Sequence, residues 1–399
     1  MTTTADDVRN LEAEHILQVY KRLPVVLTKG QNSRVFDVNG NEYIDFLSGI
    51  GVTALGHANK DLNSAIAAQS QELLHTSNLF FNTLQGEVAM KLSKLSGLSR
   101  TFFCNSGTEA VEACLKFARR HWHSKGHHKR KGIIAFERSF HGRTFGSLSV
   151  TSGQPYREPF EPLLPDVKFV SPNNPQSLRD AVSPTTAAII IEPIQGEGGV
   201  WPLSRELANT ITSICKKTGT LLIADEVQCG LGRTGKPFFS ERINLKPDLM
   251  ALGKSLGAGV PIGATLLSES VANTVKFGDH GSTYGGNLLA CRAALVFLDA
   301  LENGLLTRIN VAGTYLEKGL HLLAQKFSCI NDIRGAGLMR GIEVESQVAE
   351  NIVPAALCHG VIINRTAGSV IRLLPPLNIT DEEIDEGLKR LSAAFGDIT

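Results

Sequence analysis

Lys254 stands in Leu249-Met250-Ala251-Leu252-Gly253-Lys254-Ser255-Leu256-Gly257-Ala258-Gly259, directly behind an apolar run and between glycines. Lost hydration lowers a lysine pKa and leaves the free amine that a Schiff base needs. The competing reading is a lysine with a buried stem whose charged head reaches water. A second apolar run, Leu221-Leu222-Ile223-Ala224, ends in Asp225 and Glu226, followed by Val227 and Gln228. A carboxylate at the C-terminal end of a parallel strand lies where α/β folds hold ligands, so it could pair with a cationic heterocycle or a metal. Two solvated acids at a strand end fit the same residues.

Thr101-Phe102-Phe103-Cys104-Asn105-Ser106-Gly107-Thr108-Glu109 reads as a strand turning into a helix, with Ser106 and Glu109 at capping-box spacing. Free amides and the positive end of the helix dipole suit a phosphate there, although an ordinary capped helix also explains the pattern. In Ser139-Phe140-His141-Gly142-Arg143 an aromatic ring beside an arginine offers a stacking face and a carboxylate clamp. Arg372, inside Ile371-Arg372-Leu373-Leu374-Pro375-Pro376, is an arginine in an apolar setting. Such arginines need a partner, either a structural acid or an anionic ligand.

The elements that must position these groups follow from short apolar runs alternating with helical patterns. Strands are expected at 101–104, 133–136, 167–170, 187–192, 221–225 and 249–252. Runs apolar on both faces and separated by helices predict a mainly parallel α/β sheet. Val111, Cys114, Leu115, Ala118 and Trp122 recur at helical spacing behind Glu109. Val35 to Phe46 alternates around Asn39-Gly40, the pattern of a β-hairpin. Six prolines between Pro155 and Pro175 predict a long surface loop. The expected division is an N-terminal segment 1–55, a large domain 56–291 and a C-terminal small domain 292–399.

Composition narrows the function classes. The 399 residues carry 40 Lys+Arg against 39 Asp+Glu, a net charge of +1, which argues against a dedicated nucleic-acid or polybasic membrane surface. Apolar residues at 42% and charged residues at 20% exclude disorder. No apolar run is long enough for a membrane span, and the acidic N-terminus resembles neither a signal nor a transit peptide. Seven cysteines without C-x-x-C spacing argue against disulfides and zinc and for the cytoplasm. Fifteen of the 38 glycines fall between Gly196 and Gly286, the stretch that holds Asp225 and Lys254. Gly230-Leu231-Gly232-Arg233-Thr234-Gly235 matches a dinucleotide fingerprint literally, but it stands apart from the strand end and no helix start follows. The His- and Lys-rich run 121–131 reads as a solvated helix end.

Taken in order, these segments resemble the class III, fold-type I pyridoxal-phosphate aminotransferases from about Leu23 to Thr380. The matching pieces are Asn105-Ser106-Gly107-Thr108-Glu109-Ala110, Phe140-His141-Gly142-Arg143-Thr144, Glu192-Pro193-Ile194-Gln195-Gly196-Glu197-Gly198-Gly199, Asp225-Glu226-Val227-Gln228 and the Lys254 segment. Gly281-Ser282-Thr283-Tyr284-Gly285-Gly286-Asn287 and Arg334-Gly335-Ala336-Gly337-Leu338-Met339 complete the set. Leu288 departs from the proline usual after Asn287. Val52-Thr53-Ala54-Leu55-Gly56-His57 and Gly259-Val260-Pro261-Ile262-Gly263-Ala264 resemble the branch acting on N2-acetylornithine with 2-oxoglutarate. Tyr20-Lys21-Arg22-Leu23-Pro24-Val25 resembles the branch acting on free ornithine, the nearest rival. Succinylornithine and 4-aminobutyrate are further alternatives.

The resemblance implies a seven-stranded sheet flanked by helices, with a smaller α+β domain built from both termini. It implies pyridoxal phosphate bound covalently by Lys254, which then moves protons, while Asp225 faces the pyridine nitrogen. Gln228 would bond the ring oxygen, Phe140 and Val227 would cover the ring faces, and Ser106, Gly107 and Thr108 would take the phosphate. Glu226 belongs to the same implied cofactor set. Thr283 would reach the phosphate of a neighbouring subunit, implying a homodimer. Arg143, Ser282 and Tyr20 would meet the amine substrate. Arg372 would bind the α-carboxylate of glutamate, with Glu197 covering it in the other half-reaction.

Overall fold

The computed structural model describes residues 4–399. Its central sheet has seven strands: β1 Arg100–Cys104, β2 Gly132–Phe136, β3 Val167–Val170, β4 Thr186–Ile191, β5 Leu221–Asp225, β6 Leu249–Leu252 and β7 Gly263–Leu267. Their spatial order is β1-β7-β6-β5-β4-β2-β3. Only β7 runs against its neighbours, β1 and β6. The mainly parallel α/β sheet expected from the sequence is therefore present. β7 has no counterpart among the expected strands, because its short apolar run directly follows Pro261-Ile262 and carries no alternation to mark it.

Side chains alternate across each strand, so both faces must be covered. Ile133, Ile190 and Ile223 face helix α1, Gly107–Ser124, through Val111, Cys114, Ala118 and Trp122. Ile134, Ile189 and Leu222 face α2, Arg205–Thr218, through Leu207 and Ile211. α1 stops at Ser124, with His121 and His123 in its last turn, and the rest of the basic run is turn and loop. The Pro155–Pro175 stretch is not one loop: residues 154–160 form helical turns and β3 follows.

Two four-stranded sheets and a two-stranded ribbon, Ile194–Gln195 with Trp201–Pro202, accompany the central one. The expected hairpin forms from Arg34–Asp37 and Glu42–Asp45, with Gly40 at φ +85° in its turn. Val361–Ile362 then pairs in parallel with Glu42–Asp45, so distant segments of the chain share one sheet. The other sheet joins Ile330–Ala336, Met339–Val344, Val370–Leu373 and Asn364–Thr366, and Arg372 sits on it. The Gly230–Gly235 turn precedes no substantial helix. Its Arg233 is fully buried and donates to the carbonyls of Leu338 and Pro375, so the turn is a structural joint.

Candidate active site

The C-terminal ends of β1, β5 and β6 converge on one cavity of about 290 Å³. Gly107, Thr108, Phe140, His141, Arg143, Glu192, Asp225, Val227, Gln228 and Lys254 are among its lining residues. β5 delivers Asp225, which is 5% exposed. His141 Nδ1 lies 2.8 Å from Asp225 Oδ2, and the Val227 amide donates to Oδ1 at 3.1 Å. Both oxygens of Asp225 are therefore fixed in orientation. His141 Nε2 is buried without a partner.

Lys254 follows β6 at φ +41°, a conformation that side-chain-bearing residues avoid and that clusters at functional sites. Burial lowers its amine pKa, and the positive charge of Arg372 lowers it further, against the pull of Glu197, Asp225 and Glu192. Ser106 caps α1 by accepting from the Glu109 amide at 3.3 Å. The second half of the expected capping box is shifted by one residue: the Glu109 carboxylate accepts from the Asn105 amide at 2.6 Å. The Gly107 and Thr108 amides begin the helix, where no preceding turn supplies a carbonyl. A Cβ on Gly107 would stand 2.6 Å from Val227 Cγ1, so only glycine leaves this wall open.

Arg372 is fully buried, and its Nη1 pairs with Glu197 and donates to Gln228 Oε1 at 3.1 Å. Nε donates to Asn364 Oδ1 at 3.3 Å. Burial alone would raise the Glu197 carboxyl, but the charge and hydrogen bond of Arg372 hold it below the ordinary value. Gly196, just before it, leaves room for Gln228, whose Oε1 would lie 2.2 Å from an added Cβ. Arg143 is exposed, with its guanidinium 3.8 Å from the centre of the Tyr156 ring and 5.7 Å from that of Phe140.

Not every expected site residue gathers here. The Glu226 carboxylate points the other way, accepting from the Ser240 amide at 2.7 Å and hydroxyl at 2.6 Å, and from the Phe239 amide at 3.2 Å. Tyr20 is 73% exposed and lies outside the cavity lining. Thr283 is exposed and Ser282 half-buried; neither lines the cavity of its own chain, although the Ser282 hydroxyl accepts from Asn105 at 3.2 Å. Sequence reasoning gave no role to His141, Glu192 or Tyr156. All three stood in or near quoted segments, yet the contacts that matter join residues far apart in the chain.

Residues 17–395 match the family Aminotransferase class-III. The chain belongs to that family. The acetylornithine aminotransferase of Archaeoglobus fulgidus is 45% identical over 95% of this chain and 97% of its own length. The crystal structure of ornithine aminotransferase from Toxoplasma gondii superposes with a TM-score of 0.94 at 33% identity, covering 99% of this chain and 96% of that one. An amine transaminase from an uncultivated Pseudomonas species, solved with pyridoxal phosphate bound, gives 0.89 at 28% identity, covering 96% and 97%. Class III aminotransferases use pyridoxal phosphate, and the cavity suits it. It offers an amine whose pKa burial lowers, a fixed carboxylate, free amides at a helix start and a glycine wall for a flat ring. Among the described residues no cluster of His, Cys, Asp and Glu forms a metal site, and no helix is long and apolar enough to cross a membrane.

Proposed function

We propose that this class III aminotransferase transfers the terminal amine of N2-acetylornithine to 2-oxoglutarate, giving N-acetylglutamate 5-semialdehyde and glutamate. The observation that carries the reading is the Glu197–Arg372 pair beside Lys254. One site must take a terminal amine in one half-reaction and an α-amino acid in the other. A buried arginine covered by a partly exposed carboxylate does both. Paired, it presents no free cation to the amine substrate; unpaired, it binds the α-carboxylate of glutamate. The A. fulgidus relative supports the acetylated substrate.

Bound in the cavity, pyridoxal phosphate supplies the electron-withdrawing ring that stabilises negative charge on the carbon losing its proton. The chain's residues do the rest. Lys254 Nζ, poorly solvated, would hold the cofactor covalently and would then take and return the proton. Asp225, oriented by His141 and the Val227 amide, would keep a proton on the ring nitrogen. Gln228 would bond the ring oxygen, Phe140 and Val227 would cover the faces, and Ser106, Gly107 and Thr108 would receive the phosphate. Glu226 supports this wall from behind. Arg143, steadied on Tyr156, meets the substrate α-carboxylate.

Ser282, Thr283 and Tyr20 fit a homodimer in which each chain completes its partner's site. The exposed rings of Phe80, Phe81 and Phe277 favour such a partner. Residues 1–55 and 292–399 are read as one smaller domain beside the large domain 56–291, in the cytoplasm. The reading predicts a yellow protein that forms glutamate from N2-acetylornithine and 2-oxoglutarate and in which borohydride fixes the cofactor on Lys254. Full turnover by Lys254→Ala would overturn it.

The rival reading, transfer from free ornithine, draws on Tyr20 and on the T. gondii structure. Rates with the two amines separate the readings.

A further inference from the structure

We propose that Glu192 is a positioning residue that ties the cofactor-covering segment to the substrate-gating segment, so that the two are set as one unit. Glu192 lies just past β4, 6% exposed, at the cavity wall. Its Oε1 accepts the backbone N–H of Phe140 at 2.9 Å, and its Oε2 accepts that of Gly196 at 3.0 Å. No other side chain is hydrogen-bonded to this carboxylate among the described residues.

Each amide begins a working segment. From Phe140 run the ring over the cofactor, His141 on Asp225, and Arg143. From Gly196 runs Glu197, which covers Arg372. Neither amide belongs to a helix or to a paired strand, so nothing else in the sheet fixes it. A carboxylate suits this task because both of its oxygens only accept; a glutamine would turn an N–H toward one of the two donors. Burial pushes the carboxyl up, and although His141 and the two amides pull it down while Asp225 pushes it up, the balance leaves it at about 7. An acid retained at that cost needs a function the fold alone does not explain. The alternate gating of Glu197 supplies one: with the Gly196 and Phe140 amides anchored on one carboxylate, the Glu197 side chain can swing off Arg372 while the backbone of both segments keeps its place.

The inference rests on the cofactor-site reading, and the test separates the two. Cofactor is titrated into wild-type, Glu192→Gln and Glu192→Asp apo-proteins by intrinsic fluorescence, and KM is measured for the amine donor and for 2-oxoglutarate. The expected result is a Kd for pyridoxal phosphate raised roughly tenfold to a hundredfold in Glu192→Gln, the range for losing a charged acceptor. KM for 2-oxoglutarate shifts with it. Glu192→Asp, too short to span both amides, does not rescue both quantities. A variant with wild-type Kd and both KM values overturns the inference; a wild-type apo-protein that binds no cofactor overturns the underlying reading instead. If Glu192→Gln does not fold, hydrogen exchange on the wild-type protein decides. Peptides carrying Phe140 and Gly196 should be protected and should lose protection together, and unprotected or independent exchange overturns the coupling.

Discussion

Replacing Glu197 by glutamine removes a charge while keeping the shape of the gate. Two unit charges about 4 Å apart attract by about 4 kcal/mol at an effective dielectric of ~20. The Glu197 side chain is 35% exposed, so screening reduces this to about 2 kcal/mol. In the wild-type protein, glutamate must displace Glu197 from Arg372 and spend that energy; the variant is spared it. Conversely, the acetylated amine now sits near an uncompensated buried guanidinium. The ratio of kcat/KM for N2-acetylornithine to that for glutamate should therefore fall about 30-fold in Glu197→Gln. Single-turnover absorbance of each half-reaction reads both constants separately. Parallel losses on both substrates, leaving the ratio unchanged, would refute the gating argument.

The same pair predicts a pH effect on stability. The folded Glu197 carboxyl is held below its unfolded value, so its contribution is present above pH ~4.5 and is lost as pH falls through the folded value. The difference in urea midpoint between wild type and Glu197→Gln should shrink below that pH; a gap that widens on acidification would contradict the pairing. Gly107→Ala places a methyl 2.6 Å from Val227 Cγ1, an overpacking worth about 1–3 kcal/mol. Apo-protein titrations should show cofactor affinity reduced at least fivefold, with secondary structure intact by circular dichroism. Lys254→Met removes an amine whose charged form burial disfavours, so the apo variant should melt above the wild-type apo-protein at pH 7 while losing borohydride-fixed cofactor. A lower Tm would show that Lys254 is not poorly solvated.

Much of this site was legible because strand ends and glycine turns leave marks in sequence. Asp225 and Lys254 each close an apolar run, and parallel strands align such ends at one edge. Glu226 shows the limit: adjacent residues at a strand end point to opposite sides, and the doublet alone does not say which acid faces the ligand. The 2.8 Å contact of His141 with Asp225 and the stacking of Arg143 on Tyr156 depend on how distant segments pack. No spacing rule reports them. The antiparallel β7 escaped because a short apolar run after proline has no period to read. Tyr20 and Thr283 were named by resemblance alone, and they lie outside the cavity of their own chain.

The proposed function turns on the choice of amine. The most direct measurement is kcat/KM for N2-acetylornithine, free ornithine and 4-aminobutyrate, each with 2-oxoglutarate, on one preparation of the pyridoxal-phosphate-loaded protein. N2-acetylornithine should be the best of the three. A preference for free ornithine or 4-aminobutyrate would contradict it.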